Sequence, residues 1–264
     1  MKIDLSGKTA LVTGSTTGIG RAIARGLAAA GATVTINGRT QAKVDTAVAA
    51  LTKAVPGAKI RGVAADLSTV VGCKTVMMVL LDVDILINNA GIFEPKAFFD
   101  IPDEEWTRIL ETNLMSGVRL ARAYLPGMLK RNWGRIVFIS SESALNIPKD
   151  MIHYGVTKTA QLAVSRGLAE MTRGTAVTVN SVLPGPTMSE GVETFVKGLA
   201  RKNGQSVEEA ASAFVKQFRP TSLLERFASV EEIANMVVYV SSKEASATNG
   251  AALRVEGGIV QTIA

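Results

Sequence analysis

The sequence predicts an α/β protein in which helices cover both faces of a parallel β-sheet. Short β-branched runs alternate along the chain with longer stretches of helical period, which indicates βαβ units and therefore parallel strands. Several strand segments are almost continuously apolar, including 85–87 and 136–139. That composition is expected when a strand is buried on both of its faces.

The predicted elements follow one another from the first strand onward. β-branched and apolar residues predict strands at 9–13, 33–36, 59–64, 84–87, 135–139, 176–182 and 251–255. Apolar residues at helical spacing predict helices at 19–30, 40–54, 69–81, 103–130, 152–173 and 229–241. Pro56 and Gly57 end the second helix. No linker or repeat interrupts the alternation before residue 184, so we expect a single domain over residues 1–264.

One segment departs from this rhythm. Residues 187–228 separate the sixth strand from the last helix–strand pair and are predicted to contribute no strand of their own. Within them, 192–202 and 206–218 have the pattern of two amphipathic helices, and Pro220 ends the second. A long insertion in a compact domain is usually a lid or binding loop. A surface decoration or an oligomer contact is the alternative.

Composition excludes several classes of function. The 264 residues include one cysteine and one histidine, so neither a disulfide framework nor a cysteine or histidine metal site is expected. The net charge is +6, but Lys and Arg are scattered among acidic residues, which argues against a nucleic-acid partner. The longest strictly apolar run, 76–81, is too short to span a membrane. The N-terminal residues lack the pattern of a signal peptide, so a cytoplasmic protein is expected.

A glycine-rich segment, 13–20, lies between the first strand and the first helix. Glycines allow a tight turn and a close approach of backbone to phosphate, and the helix N-terminus offers free N–H groups to an anion. This context predicts a dinucleotide diphosphate site. The residues of the turn are Gly14, Ser15, Thr16, Thr17, Gly18, Ile19 and Gly20. Their G-x-x-x-G-x-G spacing differs from the G-x-G-x-x-G of long-chain dinucleotide enzymes.

The end of the second strand indicates which cofactor binds. An Asp or Glu there would hold the adenosine ribose hydroxyl and select NAD. This sequence has Asn37, Gly38 and Arg39 instead, with no acidic residue before Asp45. An arginine can hold a 2′-phosphate by charge-assisted hydrogen bonds, so NADP is predicted to be preferred over NAD. An ordinary solvated arginine is the alternative.

A candidate catalytic group follows the fifth strand. Tyr154 and Lys158 are four residues apart and share one helix face, where an ammonium would lower the pKa of the phenol. Ser141 follows the fifth strand, so its hydroxyl is expected near the tyrosine at the carboxyl edge of the sheet. A surface Tyr–Lys pair is the alternative. Glu142 either faces the substrate or simply ends the strand. His153 with Ser141 could suggest a hydrolase triad, but no G-x-S-x-G elbow surrounds the serine.

Together these residues resemble the short-chain dehydrogenase/reductase family, including its bacterial 3-oxoacyl-thioester reductases. Seven markers occur in the family's order over nearly the whole chain. They are the segment 13–20, Asp66, the segment 88–91, Asn113, Ser141, the Tyr154/Lys158 pair, and Pro184 with Gly185. The resemblance implies a single-domain Rossmann fold with a doubly wound, seven-stranded parallel sheet. It also identifies 187–228 as the family's variable substrate loop.

The resemblance further implies roles for individual residues. Tyr154 would exchange a proton with the substrate oxygen, Lys158 would lower the pKa of Tyr154 and bind the nicotinamide ribose, and Ser141 would polarise the carbonyl. Asn113 would hold a water that relays protons from Lys158 to solvent. The remaining cofactor contacts implied are Asp66, Leu67, Asn89, Ala90, Gly91, Pro184, Gly185 and Thr187.

The function predicted from these residues is hydride transfer between NADP(H) and a small-molecule carbonyl or secondary alcohol. An NAD-dependent sugar or polyol dehydrogenase is a second hypothesis, and a non-catalytic dinucleotide-binding sensor or scaffold is a third. The resemblance implies a homotetramer or homodimer that pairs through helices 103–130 and 152–173, with the tail 257–264 completing a tetramer. The apolar positions proposed for that contact are Leu114, Val118, Ala121, Leu162 and Leu168.

Overall fold

The computed structural model describes residues 2–263, in which seven parallel strands form one sheet. Met1 and Ala264, the two ends of the predicted domain, lie outside the described residues. The strands in chain order are β1 (Thr9–Val12), β2 (Thr33–Gly38), β3 (Ile60–Ala64), β4 (Ile85–Asn88), β5 (Gly134–Ile139), β6 (Val177–Pro184), β7 (Thr187–Met188), β8 (Ala228–Ser229) and β9 (Ala252–Val255). The large sheet has the order β3-β2-β1-β4-β5-β6-β9. Its order reverses between β1 and β4, where open α/β sheets bind ligands beyond the carboxyl ends of the strands.

Helices cover both faces of this sheet, as the alternating sequence pattern predicts. They are α1 (Gly18–Ala29), α2 (Gln41–Ala54), α3 (Val70–Val79), α4 (Asp103–Leu110), α5 (Ser116–Lys130), α6 (Ile152–Glu170), α7 (Glu190–Asn203), α8 (Val207–Phe218) and α9 (Val230–Val240). One hydrophobic core lies between the sheet and helices α1, α2 and α9, and it includes Ile23, Leu27 and Val237. A second core lies on the other face of the sheet, beneath α3, α5 and α6, and it includes Leu120, Tyr124 and Cys73. The α/β fold class is confirmed.

The predicted helix at 103–130 contains a π-helical turn, Glu111–Met115, between α4 and α5. Such a turn adds a residue to the helix without ending it, and π-turns are frequent at functional sites. Asn113 lies at its centre and is buried. The amphipathic pattern continues through the turn, so the sequence predicts the helix without showing its change of pitch.

The 187–228 insertion folds as a helical hairpin with its own small core. Helices α7 and α8 meet through Val196, Ala200 and Val215, and Phe227 packs against them. The prediction that this segment has no strand is wrong, because β7 and β8 pair in parallel at its two ends. Two residues per strand are too few to produce an alternating pattern, so the sequence does not reveal the pairing.

Some positions predicted to form an oligomer contact are buried within the protomer. Ala121 is fully buried in the core, while Leu114 and Leu162 are half-buried. In the tail, Ile259 and Val260 are buried and their N–H groups donate to Glu256. The last tail position, 264, lies outside the described residues. Within residues 2–263, every helix is too short or too polar to cross a membrane.

Candidate active site

The glycine-rich turn lies at the point where the strand order reverses. Gly14 has a φ of +58°, and a Cβ on it would lie 2.9 Å from the Cα of Ala90. A Cβ on Gly20 would lie 2.5 Å from the Asn89 side-chain nitrogen. Both positions therefore require glycine, because the turn after β1 packs directly against the turn after β4.

Side chains from both turns hold this junction together. The Asn89 Nδ2 donates to the carbonyl oxygens of Thr13 and Gly14, both at 2.9 Å. The Thr13 hydroxyl accepts from the N–H groups of Asn89 and Ala90 at 2.8 and 2.9 Å. Since the Asn89 side chain is used within the protein, the segment from Asn89 to Gly91 is left to contact a cofactor through its backbone.

The start of α1 presents the groups expected of an anion site. Thr16, Thr17 and Ile19 are partly or fully exposed there. Ser15 is different because its hydroxyl is buried, donates to the Val12 carbonyl at 2.6 Å and accepts from the Asn37 N–H. Ser15 therefore shapes the turn with its side chain and can meet a ligand only through its backbone.

A carboxylate of the 187–228 insertion reaches this helix N-terminus. The Glu190 Oε2 accepts from the Gly18 N–H at 2.7 Å, and Arg21 forms an ion pair with the same carboxylate. Burial opposes ionisation of Glu190, but backbone N–H donors, including Gly18, and the Arg21 charge leave its pKa below the usual range. The insertion is thus anchored beside the predicted diphosphate site.

Asn37 and Arg39, at the end of β2, differ in what they contact. Asn37 is buried, and its amide joins Gly14 N–H, Val63 O and Ala65 O across three strand ends. Arg39 is exposed just beyond β2, and within residues 2–263 no side chain forms an ion pair with it. Its guanidinium is therefore available to a ligand phosphate.

The next predicted cofactor residues follow β3. Asp66 is exposed, and its Oδ1 accepts from the backbone N–H and the hydroxyl of Ser68 at 3.0 and 2.8 Å. That turn leaves Oδ2 of Asp66 available to a ligand. Leu67 is 4% exposed and its side chain packs in the core, so only its backbone can contact a cofactor.

The predicted catalytic residues come together at the carboxyl edge of the sheet. Ser141 follows β5, adopts an extended backbone and caps the short helical turn Glu142–Ala144, its Oγ accepting from the Ser143 N–H at 3.1 Å. Tyr154 and Lys158 lie on consecutive turns of α6, and the Lys158 Nζ is 5.5 Å from the centre of the tyrosine ring. Phe93 packs edge-on against that ring at 6.1 Å.

A hydrogen-bonded chain holds Lys158 in place. Its Nζ donates to the Ile139 carbonyl at 2.8 Å and to the Gln161 Oε1 at 3.4 Å. The Gln161 Nε2 donates in turn to the Asn113 carbonyl at 2.5 Å. Sequence reasoning missed Gln161, although its position three residues after Lys158 places it on the same helix face.

The Asn113 side chain fixes the segment after β4. Its Oδ1 accepts from the Ile92 N–H at 2.8 Å, and its Nδ2 donates to the Ile92 carbonyl at 2.9 Å and to the Thr157 hydroxyl at 3.1 Å. The amide is therefore occupied by the protein. Its predicted role in a water relay stays a prediction, and such a water would share the Asn113 carbonyl with Gln161.

Burial dominates the ionisation of the catalytic pair. It raises the pKa of Tyr154 to about 12, with a hydrogen bond from the Ser141 side chain partly opposing the shift. It lowers the pKa of Lys158 to about 7. The shift of the Tyr154 pKa comes from burial, Ser141, Glu142 and Arg219 and includes no contribution from Lys158, so the predicted lowering of the Tyr154 pKa by the lysine stays a prediction. Tyr154 is a protonated phenol at neutral pH, which is the form that donates a proton.

Glu142, which the sequence leaves unassigned, forms a buried ion pair. Its side chain is 3% exposed, and its Oε1 accepts from the Arg219 Nε at 2.8 Å and from the Ser143 hydroxyl at 3.2 Å. Burial raises the pKa of Glu142, and the charge of Arg219 opposes this shift. Since Arg219 directly follows α8, the pair anchors the insertion beside the catalytic serine.

The residues predicted to face the nicotinamide lie at the end of β6. A Cβ on Gly185 would lie 2.7 Å from the Glu256 carbonyl, so the backbone passes close to the segment after β9. Thr187 is largely buried and its hydroxyl donates to the Gly185 carbonyl at 2.9 Å. Pro184 ends β6 next to β5, the strand that leads to Ser141.

His153 takes no part in this group. It is 2% exposed, packs edge-on against Trp106 at 5.9 Å, and its Nδ1 has no hydrogen-bond partner. Burial lowers the pKa of His153, so the ring is neutral at neutral pH. It is a core histidine.

Comparison with known proteins identifies the family of this chain. A family model described as short chain dehydrogenase matches residues 8–199. The chain is 51% identical over 263 residues to the uncharacterized oxidoreductase YvaG of Bacillus subtilis, with both chains fully covered. It is 35% identical over 260 residues to D-beta-hydroxybutyrate dehydrogenase of Cupriavidus necator, covering 97% of this chain and 99% of that one.

A solved structure shares the whole fold. L-sorbose reductase from Gluconobacter frateurii, complexed with NADPH and L-sorbose, aligns over 100% of both chains with a TM-score of 0.92 and 32% identity. The family match covers well over half of the chain, and the full-length relatives are oxidoreductases. The protein therefore belongs to the short-chain dehydrogenase/reductase family and is an oxidoreductase that acts on CH–OH or C=O groups.

Proposed function

We propose that this protein is an NADP(H)-dependent enzyme that interconverts a carbonyl compound and a secondary alcohol. The observation that carries the proposal is the convergence of Ser141, Tyr154 and Lys158 at the carboxyl edge of the sheet, next to the glycine-rich turn at the strand reversal. A protein that only bound the dinucleotide would need no tyrosine beside a buried lysine. This argues against a sensor or scaffold.

Each catalytic residue has a physical task. In the direction of reduction, the protonated Tyr154 gives its proton to the substrate oxygen, and Ser141 holds that oxygen by a hydrogen bond. Lys158 is fixed by Ile139 and Gln161, so its amino group stays beside the tyrosine ring. A bound nicotinamide cofactor supplies or accepts the hydride, while the protein provides placement and electrostatics.

The residues present fit a dinucleotide. Gly14 and Gly20 allow the two turns to pack together at the start of α1, where the N–H groups of the first helical turn favour an anion, although that of Gly18 is occupied by Glu190. The further residues proposed to hold the cofactor are Ser15 through Ile19 at the turn, Asp66 and Leu67 at the adenine, Asn89 through Gly91, Lys158 at the ribose, and Pro184, Gly185 and Thr187 at the nicotinamide.

NADP is favoured over NAD by the exposed Arg39. A positive charge at the end of β2 attracts a 2′-phosphate, and the adjacent residues carry no carboxylate that would repel it. The NADPH in the complex of L-sorbose reductase supports the same choice. L-sorbose in the same complex also supports a hydroxylated substrate for this protein. The hypothesis of a sugar or polyol dehydrogenase therefore keeps its substrate class, with NADP in place of NAD as the cofactor.

A cofactor and substrate panel tests the proposal. Ketones, aldehydes and alcohols are assayed with NADPH, NADH and their oxidised forms, following the absorbance of the reduced nicotinamide. We expect turnover of at least one carbonyl with NADPH, and a kcat/KM at least about tenfold lower with NADH, the size of one charge-assisted hydrogen bond. Absence of turnover across the panel, or a preference for NADH, would contradict the proposal.

A further inference from the structure

The carboxylate of Glu142 has one oxygen that the protein does not use. Oε1 accepts two hydrogen bonds, from Arg219 and Ser143, but Oε2 is buried and no group of residues 2–263 donates to it. Buried acceptors are nearly always paired in folded proteins, because an unpaired one loses its hydration without compensation. An exception of this kind needs an explanation, and a ligand donor would provide one.

The carboxylate that carries this oxygen belongs to the same turn as the proposed catalytic serine. Glu142 directly follows Ser141 in the chain, and both belong to the capped turn after β5. Its charge also raises the pKa of Tyr154, while that of Arg219 lowers it, so the ion pair lies within electrostatic reach of the tyrosine hydroxyl. A substrate whose oxygen contacts Ser141 and Tyr154 therefore brings its neighbouring atoms close to Glu142.

We propose that the Oε2 of Glu142 accepts a hydrogen bond from a substrate hydroxyl close to the reacting carbon, so that the enzyme selects neutral hydroxyketones and polyols. The inference rests on the proposed function, which it narrows to a substrate class. A hydroxyl is the fitting group because the carboxylate is a pure acceptor and needs a donor. A plain ketone would leave the buried oxygen unpaired.

The same pair disfavours an anionic substrate. The Arg219 Nε is bound to Glu142, and its Nη1 donates to the Phe218 carbonyl at 2.8 Å. The charge of Arg219 is therefore balanced by Glu142. A substrate carboxylate placed there would meet the buried negative charge of Glu142 at low dielectric, where like charges repel strongly.

Three small ketones separate these possibilities. Acetoin and butanone differ by one hydroxyl next to the carbonyl, and acetoacetate carries a carboxylate instead. With NADPH we expect kcat/KM for acetoin to exceed that for butanone by about tenfold or more, the usual effect of one hydrogen bond to a charged group. Acetoacetate should be the poorest of the three.

Two changes at the ion pair test the residue itself. Glu142→Gln keeps the shape but removes the charge, so the acetoin-to-butanone ratio should fall severalfold. The double change Glu142→Met with Arg219→Met replaces the pair by apolar side chains of similar length, an exchange that buried ion pairs often tolerate. It should bring the ratio close to one. Glu231→Gln on α9, at an exposed ion pair with Arg25, is the matched control and should leave the ratio as in the parent.

Each possible result of these assays supports or contradicts a different claim. Equal losses on acetoin and butanone in the Glu142 variants would show a structural role and overturn the inference, as would a parent enzyme without a hydroxyl preference. Faster turnover of acetoacetate than acetoin would show that Arg219 binds anions instead. Activity with NADH alone would contradict the proposed cofactor yet still test the hydroxyl preference. No turnover of any ketone with either cofactor would refute the proposed function and the inference together.

Discussion

Replacing Lys158 with methionine should stabilise the folded protein below neutral pH, although it removes a proposed catalytic residue. The Lys158 side chain is 4% exposed, and burial lowers its pKa from 10.5 to about 7. At about 1.36 kcal/mol per pH unit, that difference corresponds to roughly 5 kcal/mol of penalty for burying the charged form. Methionine also gives up the hydrogen bond to Ile139, worth about 1.5–3 kcal/mol. A net gain of about 2–3.5 kcal/mol remains.

The sign of the pH dependence follows from proton binding. Between about pH 7 and 10.5 the unfolded state binds a proton at this lysine that the folded state does not. The stability of the parent therefore rises with pH in that window, and the advantage of Lys158→Met should shrink and disappear above it. Below about pH 7 the advantage should be complete.

Denaturant unfolding of both proteins at a series of pH values measures this directly. Lys53→Met, at an exposed position on α2, is the control and should change stability by less than about 0.5 kcal/mol at any pH. A variant less stable than the parent at about pH 6 would refute the reasoning. So would an advantage that stays constant through the window, because the gain would then not come from the lysine charge.

Three further predictions concern the cofactor, the insertion and assembly. Arg39→Ala should weaken NADPH binding by about 1.5–3 kcal/mol and leave NADH nearly unchanged, measured by protein fluorescence titration; equal weakening of both would contradict a 2′-phosphate contact. Residues 187–218 should gain hydrogen-exchange protection when NADP(H) and substrate bind, because the helical hairpin should close over them as a lid. Equal protection with and without these ligands would count against a lid. Half-buried Leu114 and Leu162 should lie in a contact between two copies of the chain, so light scattering should show a homotetramer or homodimer. A monomer at micromolar protein concentration would exclude such a contact.

The cofactor prediction is best tested at Arg39 alone. An aspartate at Gly38 is the obvious change for favouring NADH, since it would add a ribose acceptor and repel the phosphate. The structure shows a difficulty, because a Cβ there would lie 2.5 Å from the Thr16 Cγ2. Thr16 belongs to the glycine-rich turn, so the substitution would disturb the diphosphate site as well.

Local patterns account for what the sequence predicts well. Strand and helix positions follow from apolar periodicity, and the catalytic residues follow from motifs that combine a residue type with its place at a strand end. Parallel topology brings such strand ends to one edge, so Ser141 and Tyr154 could be expected to meet. The short pairing of β7 with β8 has no such local pattern.

Long-range pairing accounts for what the sequence does not reveal. The ion pair of Glu142 joins residues 77 positions apart, and nothing near Arg219 marks it as its partner. The sign of the Tyr154 pKa shift depends on how far the surrounding protein excludes water from the hydroxyl. The four-residue spacing between Tyr154 and Lys158 carries no information about that burial. The family resemblance implies a cofactor contact at Leu67, while the burial of its side chain in the core follows only from packing.

Deuteride transfer in the parent and in Tyr154→Phe tests the central claim most directly. NADPH labelled with deuterium at nicotinamide C4, on one face or the other, is incubated with a ketone that the parent reduces. We predict one deuterium on the carbinol carbon from one labelled form. Tyr154→Phe should keep NADPH binding, but its turnover should fall by about 100-fold or more, because the proton donor is gone. Product without deuterium, or near-normal turnover in the variant, would contradict hydride transfer assisted by Tyr154.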